Sequence, residues 1–152
     1  MRVLVFSVVF VLVFLLVVSV FIRLAPMHPD QWHVDPSSVT PPNSPNYALL
    51  IGENAPVVSG SVQDLSARVA QIAQDNGWQV IGGDAQTGFV TYVTRSRVFG
   101  FPDAISIKLS AVQSEGDATR SRIEIFSRSR FGYDDLGANE EHVAKLLRPL
   151  TS

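Results

Sequence analysis

Residues 103–112 read Asp-Ala-Ile-Ser-Ile-Lys-Leu-Ser-Ala-Val, and this stretch decides the fold. Apolar and polar side chains alternate along it, which is the period of a β-strand with two unlike faces. One face carries Ile105, Ile107, Leu109 and Ala111, and the other carries Ser106, Lys108 and Ser110. Such a strand is typical of an antiparallel sheet, and we expect its apolar face to pack on a core while its polar face meets water.

Four more segments have the composition of strands. They are residues 55–59, 78–82, 89–94 and 120–127, with turns at residues 82–88 and 114–118. In the last strand, Ile123 and Ile125 are expected to face inward, and the outward side chains are Arg122, Glu124 and Phe126.

Two segments have the pattern of helices. Ser61 forms a capping box with Asp64, and Asn76-Gly77 ends that helix. Asn139 is expected to cap the second helix. The order β-α-β-β-β-β-α predicts a two-layer α+β domain, an antiparallel sheet with both helices on its apolar face.

The N-terminal segment is predicted to be a membrane anchor. Between Val3 and Ile22 only Ser7 and Ser19 are polar, and about 20 apolar residues in a helix span the roughly 30 Å hydrocarbon layer. A cleaved signal peptide needs a shorter apolar core and a small-x-small cleavage site, which are missing here. Because Arg2 precedes the segment, the positive-inside rule favours an exported C-terminal domain.

Residues 24–46 are expected to be a linker between the anchor, residues 1–23, and a globular domain, residues 47–152. The linker holds six of the nine prolines: Pro26, Pro29, Pro36, Pro41, Pro42 and Pro45. Proline lacks an amide hydrogen and restrains its predecessor, so we expect an irregular or polyproline-like spacer. Trp32 is expected either at the membrane interface or against the domain.

A metal site in the linker is not expected. His28, Asp30, His33 and Asp35 are close in sequence, but a proline-broken segment does not preorganise ligands, and the spacings match no zinc pattern. We therefore predict neither a metal nor a cofactor.

The composition excludes several classes of function. The chain has 152 residues and no cysteine, which rules out disulfides, thiolate catalysis and cysteine zinc sites. The net charge of -2 gives no bulk attraction to nucleic acid. Nucleophile-elbow, zinc-protease, phosphate-loop and dinucleotide motifs are absent from the sequence. Because His142 is expected to be solvated or lightly paired on a helix surface, we predict no catalysis.

Two segments of the chain echo one another. Arg95-Ser-Arg97 is followed by Phe99, Phe101 and Asp103, and Arg128-Ser-Arg130 is followed by Phe131, Tyr133 and Asp134. In the simplest meander both segments reach the same end of the sheet, beside the start of the 103–112 strand. The period of two places Arg95 with Arg97 on one side, and likewise Arg128 with Arg130.

This echo has two interpretations. Guanidinium forks bind phosphate or carboxylate, so the segments predict a site for an anionic lipid headgroup or glycan. The candidate site residues are Arg95, Arg97, Arg128, Arg130, Phe99, Phe101, Phe131, Tyr133, Asp103 and Asp134. Alternatively, Asp103, Asp134 and Asp135 pair with the arginines and only lock the turns together, and both interpretations can hold.

Residues 99–106, FGFPDAIS, and 127–143, SRSRFGYDDLGANEEHV, together with Trp32-His33-Val34-Asp35-Pro36, resemble the domain of unknown function 1499 family. The resemblance covers most of residues 30–150. Members of similar layout are short bacterial proteins with an N-terminal hydrophobic anchor. The resemblance therefore implies a bacterial, membrane-anchored protein, and it implies no activity. Together with the charge bias at Arg2, it predicts an inner-membrane protein with its domain on the periplasmic side.

Together these observations predict a single-pass envelope protein held in the bilayer through residues 3–22, with an anion-binding, arginine-rich sheet end. The alternative is an assembly or scaffolding module that binds another envelope protein. A hydrolase is the third interpretation.

Overall fold

The computed structural model describes residues 2–113 and 119–151. The helices are α1 Arg2–Arg23, α2 Pro29–Trp32, α3 Val62–Asp75 and α4 Ala138–Thr151. The strands are β1 Tyr47–Leu50, β2 Val57–Ser59, β3 Gln79–Asp84, β4 Phe89–Arg95, β5 Pro102–Val112 and β6 Arg120–Ser129. The predicted α+β class is confirmed, and the predicted turn at residues 114–118 lies outside the described residues.

The strands form one open, antiparallel sheet in the order β1-β6-β5-β4-β3, with β2 also paired to β6. The predicted meander is therefore correct for β3 to β6. In its centre, Ile107 of β5 lies between Val90 of β4 and Ile125 of β6. Strand β1 was not expected, because its four residues, Tyr-Ala-Leu-Leu, do not alternate and are ordered by pairing with β6.

The core lies between one face of this sheet and the helices α3 and α4. Fully buried Ile105, Ile107, Ile123 and Ile125 supply the sheet side. The helical side is Leu65, Val69, Ile72, Val143, Leu146 and Leu150. The prediction that both helices pack on the apolar face is confirmed.

Contrary to expectation, the second face of the sheet is not left to water. Thr91 and Ser106 are buried there, and their hydroxyl oxygens lie 2.8 Å apart. Phe126, which was expected to face outward, is 2% exposed. The residues that cover this face come from the segment between α1 and β1.

The covering segment has more regular structure than a polyproline spacer. It holds α2, which begins at Pro29, and a 3-10 turn at Pro36–Ser38 capped by the Asp35 side chain. Proline is well tolerated at the first helical position, where its missing amide hydrogen has no partner. His33 stacks on Phe89 with ring centroids 3.9 Å apart, and its Nδ1 lies 2.8 Å from Thr91 Oγ1.

The helix ends follow local rules with one correction. Ser61 and Asp64 form the predicted capping box at the start of α3. Asn139 does not cap α4, because the helix already begins at Ala138. The cap is Asp135, whose carboxylate accepts hydrogen bonds from the backbone N–H groups of Gly137 and Asn139.

Helix α1 has the length and composition of a membrane span. Its side chains are exposed along most of its length, and burial begins near its C-terminal end, where Ile22 packs beside the domain. That end is where α1 meets the arginine-rich end of the sheet.

Candidate functional site

The two Arg-Ser-Arg segments reach the same end of the sheet, as the predicted topology requires. Arg95 at the end of β4 pairs with Pro102 at the start of β5. On the other side of β5, Asp103 pairs with Ser129 of β6. The start of β5 is thus flanked by both segments.

Arg95 closes the C-terminal end of α1. Its guanidinium donates to the carbonyl oxygens of Ala25 at 3.0 Å and Ile22 at 3.4 Å. The last carbonyls of a helix lack partners within the helix and carry partial negative charge, so a cation is favourable there. Burial, and then the charges of Arg130 and Arg23, lower the pKa of Arg95.

Arg23 forms the reciprocal contact from α1 to the sheet. Its Nη2 atom donates to the carbonyl oxygens of Arg97 at 2.8 Å and Val98 at 2.7 Å. Gly100 makes this approach possible, because it has a φ of +75° and lacks the Cβ that would meet the Arg23 side chain. We call the contacts of Arg23 and Arg95 the arginine clasp.

Arg128 and Arg130 face the covering segment. Arg128 donates to the carbonyl oxygen of Gln31 at 2.7 Å, and its guanidinium lies 4.4 Å from the Trp32 ring centroid. Burial lowers the pKa of Arg128. Arg130 lies 5.4 Å from the Phe131 ring centroid. Trp32 therefore docks on the domain, held by a cation–π contact.

Arg97 is placed differently from its three counterparts. Strand β4 ends at Arg95, so the alternation does not continue to Arg97, which lies in the turn that follows. Its side chain is exposed and makes no hydrogen bond to another described residue. It lines a cleft of about 410 Å³ on the helix side of the sheet, and Lys145 of α4 lines the same cleft.

The floor of this cleft is an aspartate–histidine pair. Asp103 Oδ2 lies 3.1 Å from His142 Nε2, and the two side chains are 9% and 12% exposed. Trp78 contacts the imidazole edge-on, with ring centroids 6.1 Å apart. His142 Nδ1 is buried and has no hydrogen-bond partner among the described residues. Of the two expectations for His142, solvation is therefore wrong, and pairing is found, with Asp103 as the partner.

The acidic residues of the echo do not pair with its arginines. Asp103 faces His142, and Asp134 Oδ1 accepts a hydrogen bond of 2.7 Å from the Leu136 backbone N–H. Asp135 caps α4. Among the described residues no ion pair joins these carboxylates to Arg95, Arg97, Arg128 or Arg130. Arg95, Arg128 and Arg130 contact backbone carbonyl oxygens or aromatic rings instead.

The aromatic residues of the echo form a second, more apolar groove. The ring centroid of Phe101 lies 5.9 Å from that of Phe99 and 6.3 Å from that of Phe131. Phe101, Phe131 and Leu136 line a groove of about 240 Å³. It adjoins the first cleft, because Ser96, Asp103 and Ala138 line both.

Residues 33–150 match the model of a protein family of unknown function, DUF1499. The chain belongs to the DUF1499 family. This DUF1499 match begins at His33, within the segment that covers the sheet, and it supplies no activity. No curated protein matches the chain.

The sequence predicted part of this candidate site and not the rest. It brought Arg97 and Asp103 to one end of the sheet, but Trp78, His142 and Lys145 join them only through the packing of α3, β3 and α4. Their sequence surroundings carry no motif that would have linked them to the arginine segments.

Proposed function

We propose that this DUF1499 protein is a single-pass, membrane-anchored, non-catalytic domain that binds the head of an anionic lipid between Arg97 and Lys145. The observation that carries the proposal is the Arg97 side chain, an exposed guanidinium on the rim of a cleft, with no hydrogen-bond partner among the described residues. A guanidinium of this kind binds a phosphate bidentately.

The charges around the cleft favour an anion. Its cations are Arg95, Arg97 and Lys145, and its anions are Asp75 and Asp103, giving three positive and two negative charges. Asp103 is met by His142 at 3.1 Å, and Arg95 is held by the arginine clasp. Lys145 is 42% exposed, and its ion pair with Glu141 is long, at 3.9 Å, and open to solvent. Because such a pair is weak, the Lys145 ammonium group is available to a ligand.

The adjoining groove favours a lipid over a glycan. Phe101, Phe131 and Leu136 provide an apolar surface next to the cationic rim. A ligand with a charged head and an apolar tail fits this pair of surfaces, because the tail can cover Phe101, Phe131 and Leu136, although Ser129, Asp134 and Asp135 also line the groove.

The contact between α1 and the cleft supports a lipid ligand. One wall of the cleft is Arg97, whose carbonyl oxygen accepts a hydrogen bond from Arg23 at the end of α1. With α1 in the bacterial inner membrane and the charge bias of Arg2 on the cytoplasmic side, the cleft lies at the periplasmic surface.

The geometry of His142 supports a non-catalytic domain. Its Nε2 faces Asp103 and its Nδ1 is buried, so neither ring nitrogen is presented to a molecule in the cleft. A general base needs a nitrogen within hydrogen-bond reach of the proton that it abstracts.

The test uses full-length protein in a zwitterionic detergent. Dioctanoyl phosphatidylglycerol is expected to raise the melting temperature, while dioctanoyl phosphatidylcholine, inorganic phosphate and trigalacturonate leave it unchanged. Arg97→Ala and Lys145→Ala should each reduce the shift, and Arg120→Ala, an exposed arginine far from the cleft, should keep it.

Other results would contradict the proposal. An equal shift with both lipids, or an undiminished shift in Arg97→Ala, would refute binding in the cleft. A shift with phosphate or trigalacturonate that matches the lipid shift would refute a lipid ligand.

A further inference from the structure

The loop of residues 96–101 lies alongside the last turn of α1. Ser19 Oγ donates to the carbonyl oxygen of Phe99 at 3.4 Å, and Arg23 donates to the carbonyl oxygens of Arg97 and Val98. A helix rises 1.5 Å per residue, so Ser19 lies about 6 Å closer to the N-terminal end of α1 than Arg23 does. The loop therefore reaches back along the apolar part of the helix.

This loop exposes apolar side chains. Val98 is 73% exposed, and Phe99 and Phe101 are also exposed. The neighbouring loop after β6 adds Tyr133, at 74%, and Leu136, at 96%. Scattered exposed apolar residues need no explanation, but a group of them at one end of a domain marks an interaction surface.

From these contacts we infer that the sheet end beside α1 rests in the headgroup layer of the bilayer, with residues 96–101 entering it deepest. The inference depends on α1 spanning the bilayer, as in the proposed function. Any part of the domain that touches Ser19 must then lie at the depth of Ser19, which is inside the apolar run. Lipid is therefore the occupant of this surface.

The side-chain chemistry suits that depth. Tyrosine is favoured at the level of the headgroups, where its apolar ring and its hydroxyl group meet a polar surface, and phenylalanine supplies apolar area that is buried at the boundary with the acyl chains. Arg23 and Arg97 lie at the same level and attract anionic lipids. From Thr94 to Pro102 the sequence has no acidic residue, so residues 96–101 carry no charge that opposes a negative surface. The acidic residues of the neighbouring loop are Asp134 and Asp135, of which Asp135 is engaged at the start of α4.

We call this position of the sheet end in the headgroup layer the seating, and it affects access to the cleft. The arginine clasp ties β4 and the loop to α1, so the domain cannot swing freely about the membrane helix. The cleft rim at Arg97 is then held facing the headgroups, and a lipid can enter it from the membrane.

The test measures depth with the full chain in vesicles of phosphatidylcholine and phosphatidylglycerol at three to one. The chain has no cysteine, so Val98→Cys gives a single site for an environment-sensitive fluorophore. Leu15→Cys, in the apolar part of α1, is the reference for a label inside the bilayer. Gln86→Cys, an exposed residue at the opposite end of the sheet, is the control for a label in water. Circular dichroism shows that each variant folds.

Phospholipids brominated near the glycerol are expected to quench the label at residue 98, and a label at Leu136→Cys more weakly, but not the label at residue 86. A label at residue 98 that is as unquenched as that at residue 86 overturns the seating. Quenching at residue 98 without any lipid-induced shift of melting temperature in detergent would refute the cleft ligand and leave the seating intact. The label at residue 15 is tested with phospholipids brominated near the ends of the acyl chains, because Leu15 lies about 12 Å deeper than Arg23. If these lipids leave it unquenched, the anchor itself is refuted, and the seating with it.

Discussion

Lys108 Nζ lies 2.6 Å from Asp35 Oδ2 and joins the middle of the sheet to a segment 73 residues earlier in the chain. Lys108 belongs to the face of β5 that its polar residues assign to water. Asp35 also accepts hydrogen bonds from the Ser37 backbone and hydroxyl, so the pair fixes the turn that covers this face. The segment between anchor and sheet is thus packed as part of the domain.

Asp35→Asn is expected to lower the free energy of unfolding by about 1 kcal/mol, because it removes a charge-assisted hydrogen bond at a partly exposed site. Hydrogen exchange at residues 33–38 should also become faster, since the turn loses its anchor. The control is Asp30→Asn, an exposed carboxylate in the same segment. Equal exchange in both variants would show that the Lys108 pair does not hold the turn.

Arg128→Ala is expected to release Trp32. The guanidinium stacks on the indole and donates to the Gln31 carbonyl oxygen, and loss of both contacts should cost about 1–3 kcal/mol. The fluorescence of Trp32, measured in a Trp78→Phe background, should shift to longer wavelength as the ring becomes hydrated. Arg120→Ala, at the exposed start of the same strand, should leave the spectrum unchanged.

Asn139→Ala is expected to be the most damaging of these changes. Asn139 is fully buried, and its side chain contacts Ser127 Oγ at 2.6 Å, the Asn46 carbonyl oxygen at 2.9 Å and Ser129 Oγ at 3.0 Å. Buried partners left without hydrogen bonds should reduce the free energy of unfolding by about 2–4 kcal/mol, measured by denaturant titration.

The exposed neighbour Glu140 provides the control for that experiment. Glu140→Ala should change stability by less than about 0.5 kcal/mol. A similar loss in both variants would mean that the first turn of α4, rather than the buried amide, sets the effect.

Acid is expected to weaken the cap of α4. Burial raises the pKa of Asp135, but hydrogen bonds from Asn139 and the Gly137 backbone outweigh it and leave that pKa below its ordinary value of 3.8. A lowered folded-state pKa stabilises the fold above the unfolded pKa, and the contribution is lost as the pH falls through the folded value.

Asp135→Asn should therefore be less stable than wild type at neutral pH, and the gap should narrow below about pH 4 as the wild-type carboxylate is protonated. The measurement is denaturant unfolding in detergent across the pH range. A gap of constant size from neutral to acid pH would contradict the role of the Asp135 charge.

The local parts of the fold follow from the sequence because their causes are local. Alternation along residues 103–112 predicts the central strand, and Ser61 with Asp64 predicts the start of α3, since each depends on neighbours within a few residues. Strand β1 could not be predicted in this way, because its order comes from β6, almost eighty positions later.

The candidate site also has features that the sequence predicts and features that depend on tertiary packing. The sequence by itself determined the apolar helix, the paired Arg-Ser-Arg segments and their arrival at one end of the sheet. Only the tertiary structure decided what each arginine contacts. A guanidinium group can bind a backbone carbonyl oxygen, an indole ring or a phosphate. Which of these it binds depends on the group that the packing of the chain brings within about 3–5 Å. Packing brought α1 to Arg95 and Trp32 to Arg128, and it left Arg97 on the rim of the cleft.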